Sequence, residues 1–465
     1  MIYKFKIFNF FFFKKNFYIL IVLTGFFFSV LFSIYCINKF DKSISLKTGI
    51  NVNGIIGTKD SSTYFKEAEY HIKNLKDNNY IKSEKPEYFS SWLHSKLLAI
   101  FFVATSPKKI FNNQELKISD FDKLHFFVFQ SLIFYLSLIY LFINIREVYD
   151  NRLALIVITF LSFEPNIFQY HSSLLSESIF FSLNIIIFSF LINLKKNILK
   201  NFLIGILVGI AFLQRGIAYY YIFLIIPYYF LIFRKKFFKP TIFFLFGIFI
   251  ILLILGFSNY LRTNNFFIKP MNSYIVIKRY FVIDLLYPEI FKISKDNAQK
   301  LYFKDNYNLN NFKKEIDKRN FLKKIHKEAL NEVYKYKKKS FLVFIKNSHK
   351  TLALNPLEIL FSYKYNISET INSSKIYKQF RIIYSFTLYL FILVGFINFY
   401  KKNFSISFFI FFISLYFFVI AVIDGATVRI LTPSLIYLSI FFGSGIKFLL
   451  YKNPINMKKL FNATS

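Results

Sequence analysis

Apolar runs dominate the chain and fall at about 17–38, 123–145, 152–170, 177–194, 201–214, 217–233, 241–259, 380–399, 404–423 and 430–450. A run of ~20 apolar residues is long enough to cross a hydrocarbon core of ~30 Å. With no water there to satisfy backbone N–H and C=O groups, each such run must be a helix. The pattern therefore predicts an all-α, multi-pass integral membrane protein with about ten transmembrane helices. The 201–214 run is short for a span, and the apolar piece Leu97 to Thr105 is too short. That piece is read as an interfacial or re-entrant helix.

Basic residues in the short connections set the orientation. A cytoplasmic N-terminus puts Lys14/Lys15, Arg146/Arg152, Lys195/Lys196/Lys200, Arg234/Lys235/Lys236/Lys239, Lys401/Lys402 and Lys452/Lys458/Lys459 inside. The short connections left outside hold only Arg215 and Arg429. The reading is N-in and C-in, with segments 39–122 and 260–379 exported, because long loops escape the charge rule. It divides the chain into an N-terminal membrane module, 1–259, with about seven spans and the first exported loop. An exported helical region, 260–379, and a C-terminal module, 380–465, with about three spans follow. Within 260–379, Phe312, Ile316, Leu322, Ile325, Ala329 and Val333 recur at helical spacing between Lys and Glu. They predict an amphipathic helix, either packed on its neighbours or lying on the membrane surface.

Composition sharpens this picture. Hydrophobic residues make up 55% and aromatic residues 22% of the chain, beyond what soluble domains carry in such runs. The formal charge of +35 would suit a nucleic-acid ligand. However, the lysines gather at the ends of apolar runs and in one long loop, so topology accounts for them and no nucleic acid is expected. The single cysteine, Cys36, lies inside the first run and excludes an intrachain disulfide. Six histidines show no metal-ligand spacing, so no metal or other cofactor is assigned. The first run, after Lys4, Lys6, Lys14 and Lys15, reads as an uncleaved signal anchor.

Ionisable residues cluster at the external ends of the runs: Asp60, Glu67, Glu177, Arg215, Arg262, Arg279, Asp424 and Arg429. The interiors hold almost none. A coupled transporter places such groups near the midplane, so the pattern favours an enzyme at the outer surface. Asp60, in Thr58-Lys59-Asp60-Ser61-Ser62-Thr63-Tyr64, is either the N-cap of a helix over Ser61 to His71 or a general base. Glu177 opens the fourth run, where a carboxylate either compensates the helix dipole or meets substrate. Gly205 and Gly209 form a small-xxx-small pattern that reads as helix packing. Arg215 then either snorkels to headgroups or meets a lipid phosphate. Arg262 and Arg429 present planar forks suited to phosphate, although Asp424 to Arg429 also reads as a salt-bridged loop. Gly443-Ser444-Gly445 lies within a span and is no phosphate loop.

Taken in order, these pieces resemble the GT-C superfamily of polyprenyl-phosphate-sugar glycosyltransferases, in the bacterial branch similar to protein O-mannosyltransferases and aminoarabinose transferases. The matching positions are Asp60, Tyr64 and Ala68 in the first loop, and Pro165 with Ser176-Glu177 at the fourth run. Gly205, Gly209 and Leu213-Gln214-Arg215, then Asn259-Tyr260-Leu261-Arg262, then Arg429, Pro433 and Gly443 complete the series. Two positions depart: Lys59 and Ser61 flank Asp60 where many relatives have an acidic pair, and Gly216 stands where proline often follows the arginine.

The resemblance implies that Asp60 is the base and that Arg215, Arg262 and Arg429 bind the donor phosphate. Glu177, Tyr64 and Asp424 complete the expected site. It implies a polyprenyl-phosphate sugar donor, a glycolipid, polysaccharide or protein acceptor, and membrane lipids as partners. The expected location is a bacterial inner membrane with the site facing the periplasm. The competing readings are an oligosaccharide polymerase or ligase, and a lipid or glycan flippase or transporter.

Overall fold

The structure is a computed structural model and describes residues 16–39, 64–72 without 66, 92–105, 120–194, 197–268, 271–304, 315–352, 354, 375–424 and 428–451. Among these residues there is no strand. The membrane portion begins with α1 (Phe17–Lys39), α2 (Trp92–Thr105), α3 (Asp120–Val148), α4 (Asn151–Phe163), α5 (Pro165–Phe168), α6 (Glu177–Ile192) and α7 (Ile198–Gln214). It continues with α8 (Tyr221–Phe233) and α9 (Phe238–Thr263). A second group comprises a π-helical stretch at Ile277–Leu286, α10 (Tyr287–Phe291), α11 (Lys295–Gln299), α12 (Glu315–Lys335) and α13 (Lys337–Leu352). The chain then returns to α14 (Lys375–Tyr400), α15 (Phe404–Ile423), α16 (Val428–Leu431) and α17 (Pro433–Tyr451).

All ten apolar runs are helical, yet they are not alike. Seven helices among the described residues are long and apolar enough to cross a membrane, or eight if one bent pair counts as a span. The bent pair is the 152–170 run, which breaks by 47° between Phe163 and Pro165. Proline has no N–H to continue the ladder, and Glu164 leaves the helical region with φ −66° and ψ 112°. Its Oε1 then accepts the N–H of Asn166 at 3.2 Å and starts the next turn. Helices α6 and α7 have 16 and 17 residues. At ~1.5 Å per residue, both fall short of a full hydrocarbon crossing.

The bundle is locked at points where side chains are smallest. A Cβ added to Gly205 would lie 2.0 Å from the Phe244 carbonyl oxygen, and one added to Gly247 would lie 2.3 Å from that of Phe202. Helices α7 and α9 therefore touch backbone to backbone, which is the packing the Gly205/Gly209 pattern predicts. Gly395 on α14 meets Phe441 and Gly445 on α17 in the same way, so Gly445 is a packing residue. One polar junction crosses the apolar core. Tyr221 on α8 and Tyr437 on α17 both donate to Asn184 Oδ1 on α6, at 2.7 and 2.6 Å.

The second group forms a layer over one end of the bundle. On α12, Leu322, Ile325 and Ala329 are buried against Ile275, Val282 and Ile283. The predicted amphipathic helix is thus the one packed on its neighbours. Lys278 is buried and donates to Glu332 at 2.7 Å, which ties the π-helix to α12. Helix α13 docks on α15, with Asn347 Nδ2 donating to the Val422 carbonyl at 3.2 Å.

Candidate functional site

The charged cluster forms where α6 begins, α7 ends and α17 approaches. Glu177 stands in the first turn of α6, where the partial positive charge of the helix end favours an anion. It is fully buried. Its Oε1 accepts from Arg215 Nη1 at 2.7 Å and also pairs with Arg429 Nε. Arg215 caps α7 in extended backbone, with its N–H on the Ala211 carbonyl at 2.8 Å, and its guanidinium carbon lies 5.7 Å from the Phe180 ring centroid. Two guanidinium groups share this one carboxylate, and their side chains are 13% and 24% accessible. Glu177 Oε2 is buried without a hydrogen-bond partner. The cluster can hold an anion on the outer side of its guanidinium groups while Glu177 fixes their orientation.

A polar shell of fixed tautomer supports it. His94 on α2 is fully buried, with Nε2 bonded to the Leu174 carbonyl at 3.0 Å and Nδ1 to Gln214 Nε2 at 3.0 Å. A carbonyl only accepts, so Nε2 carries the proton and Nδ1 accepts from Gln214. Burial pushes the imidazole down to about 4, so it stays neutral at physiological pH. The second Gln214 N–H reaches the Ser176 carbonyl at 3.1 Å, one residue before Glu177.

Residues 64–72, helical on either side of residue 66, pack over this shell. Tyr64 is buried, its ring 5.0 Å from His94 edge-to-face and its hydroxyl 3.5 Å from Ser176 Oγ. One turn on, burial raises the Glu67 carboxyl to about 7 against the lowering effect of a hydrogen bond with Ser95, and its Oε2 is buried without a partner.

Of the expected site residues, the structure brings together Glu177, Arg215 and Arg429, with Tyr64 on their edge. Arg429 corrects one alternative: it reaches Glu177 across the bundle and does not serve only a local Asp424–Arg429 loop. Asp424 is half-buried at the end of α15, its N–H on the Ile420 carbonyl at 2.8 Å. Asp60 lies outside the described residues, as does the Arg262 side chain. The sequence reading did not find His94, Gln214 or Glu164. Gln214 stood beside Arg215 in a quoted motif, whereas nothing in the sequence marked His94. Glu164 is a buried carboxylate inside the third run, with Oε1 accepting from Asn166 Nδ2 at 2.6 Å and from the Tyr384 hydroxyl. No three His, Cys, Asp or Glu side chains form a metal-binding group among the described residues.

The fold and the cluster define an all-helical, multi-pass membrane protein with a cationic site at one end of its bundle. Residues 113–258 match the family of dolichyl-phosphate-mannose-protein mannosyltransferases. The match takes in Glu177 and Arg215 and stops between Asp60 and Arg429. Among solved structures, the chain is similar to the archaeal oligosaccharyltransferase AglB from Archaeoglobus fulgidus in complex with an inhibitory peptide and a dolichol-phosphate. The TM-score is 0.53 at 12% identity, covering 97% of this chain and 52% of that one. The apo form of the A. fulgidus oligosaccharyltransferase gives a TM-score of 0.52 at 12% identity, with 97% and 52% covered. The chain thus spans about half the length of these structures. No curated protein matches the sequence. The family match and the fold both support the GT-C superfamily, as the resemblance implied.

Proposed function

We propose that the chain is a membrane glycosyltransferase that moves a sugar from a polyprenyl-phosphate donor to an acceptor at the external face of the membrane. The supporting observation is the pair of guanidinium groups held by one buried carboxylate. Arg215 and Arg429 are cations whose geometry is set before any ligand arrives, at the end of the bundle that the charge rule places outside. In the proposed reaction an acceptor hydroxyl or amine gives its proton to Asp60 and attacks the anomeric carbon. The bond from that carbon to the phosphate oxygen breaks, and polyprenyl phosphate departs with inversion at the sugar. The two arginines stabilise the negative charge growing on the phosphate, a contribution of about 3–4 kcal/mol for a well-placed group. Glu177 positions them. An apolar cavity of about 600 Å³ between α4, α14 and α17, with Glu164 and Tyr384 on its wall, offers room for the prenyl chain.

The decisive experiment compares purified wild type with Asp60→Asn for release of polyprenyl phosphate from a panel of labelled donors. General-base catalysis predicts a fall of about 10²–10⁴; equal turnover would remove Asp60 as base. A reporter active only in the periplasm tests the orientation: it should stay silent fused after Lys196 and be active near Lys304.

A further inference from the structure

At the end of the bundle opposite Glu177, a cavity of about 430 Å³ opens between the starts of α7 and α9. Its lining includes Ile198, Asn201, Lys235, Lys236, Phe238 and Lys239. We infer that this cavity binds the phosphate of an anionic phospholipid headgroup, at the membrane face opposite the proposed transferase site.

Three features of this one place point to an anion. The first is the wall itself, with three lysines around one concavity and no carboxylate among its residues. The second is helix direction. One span, α8, separates α7 from α9, so the two run parallel. Their contacts stay in step, Gly205 against Phe244 and Gly209 against Ile251, so both N-termini finish at the same level. Each carries about half a positive charge. Two parallel dipoles held in backbone contact add their fields at the cavity. The third is that neither first turn contains an acidic residue. Lysines 200 and 239 stand there instead, against the dipole. Arg234, Lys235 and Lys236 follow the C-terminus of α8, where the dipole favours cations, whereas Lys239 stands in the first turn of α9 and meets the positive end of the dipole.

The surroundings favour a lipid over a free ion. Leu199, Phe238 and Ile242 are 62%, 66% and 61% exposed beside the cavity, on helices that otherwise meet hydrocarbon. A ligand that settles there must offer phosphate to the lysines and chains to these side chains. Basic pockets between spans suit phospholipid headgroups in this way.

Native mass spectrometry of the purified full chain tests the inference, with phosphatidylglycerol, phosphatidylcholine and inorganic phosphate as probes. Each lysine near an anionic lipid is worth roughly a fivefold change in affinity. The Lys235→Gln/Lys236→Gln/Lys239→Gln variant should therefore bind phosphatidylglycerol on the order of 100-fold more weakly. Lys239→Arg should bind as wild type does. Lys401→Gln/Lys402→Gln, which removes charge from another short connection, should leave binding unchanged. Equal binding by the triple variant, or an equal loss in the Lys401/Lys402 control, would overturn the site. Inorganic phosphate that competes as well as phosphatidylglycerol would overturn the lipid headgroup as its ligand. Melting in detergent without added lipid checks that the triple variant is folded. Should it melt early, the Lys239→Gln single variant carries the test, with a fivefold loss expected and no loss overturning the site.

Discussion

The two ends of the bundle handle charge in opposite ways. At one end a single buried carboxylate, Glu177, draws in Arg215 and Arg429. At the other, Asp150 and Lys447 pair with about a third of each side chain accessible, and lysines stand open around a cavity. A buried charge must be matched by geometry, because removing its partner leaves a full desolvation cost. An exposed pair is screened by solvent and contributes little. The contrast therefore separates a place where charge is buried and held in one geometry from one where charge stays open to solvent.

The contrast can be broken most sharply through catalysis. Arg215→Ala and Arg429→Ala should each lower transfer by about 10²–10³, measured as polyprenyl phosphate release, whereas Lys447→Ala should leave it unchanged. Stability should follow the same division. Arg215→Ala should cost about 3 kcal/mol in denaturant unfolding, the low end for a broken buried pair because Arg429 still faces Glu177. Gly247→Ala, which puts a Cβ 2.3 Å from the Phe202 carbonyl oxygen, should cost about 1–3 kcal/mol by forcing α7 and α9 apart.

A smaller effect depends on pH. The Glu67 carboxyl is raised from 4.5 to about 7, so between those values the folded chain keeps a proton that the unfolded chain has lost. Stability from this group is full below pH 4.5 and falls as pH rises to about 7. His94, lowered from 6.5 to about 4, has the opposite slope: its contribution is full above 6.5 and is lost as pH falls. The two oppose each other between about 4.5 and 6.5. Melting of Glu67→Gln against wild type at pH 5 and pH 8 should show the variant relatively more stable at the higher pH. The smallest change belongs to Lys447→Ala, below about 1 kcal/mol.

Much of the architecture was legible in the sequence because the bilayer imposes so few solutions. Each of the ten apolar runs is helical, although the 152–170 run breaks at Pro165 and only seven or eight helices among the described residues are long enough to cross. The Leu322/Ile325/Ala329 spacing marked α12, and Gly205 and Gly209 marked a helix-packing face without telling which helix it meets. What escaped depends on long-range meetings. No local pattern tells Arg429 to reach Glu177, or a lone His94 to take Gln214 and a carbonyl. The break in the third run was written in Pro165, but its apolar neighbours hid the buried role of Glu164. The π-helical stretch over Ile277–Leu286 leaves no periodicity that distinguishes it from an ordinary helix.

The junction at Asn184 has a consequence for alignment. It sits seven residues beyond Glu177 on α6, two turns below and on nearly the same face. Tyr437 likewise follows Arg429 by about two turns. An amide oxygen has two lone pairs, and Tyr221 and Tyr437 occupy both. If α6, α8 or α17 rolled about its own axis, a phenol would be stranded in hydrocarbon. The azimuth of each helix is thereby fixed beneath the guanidinium groups, which inherit their bearing from an uncharged amide two turns away.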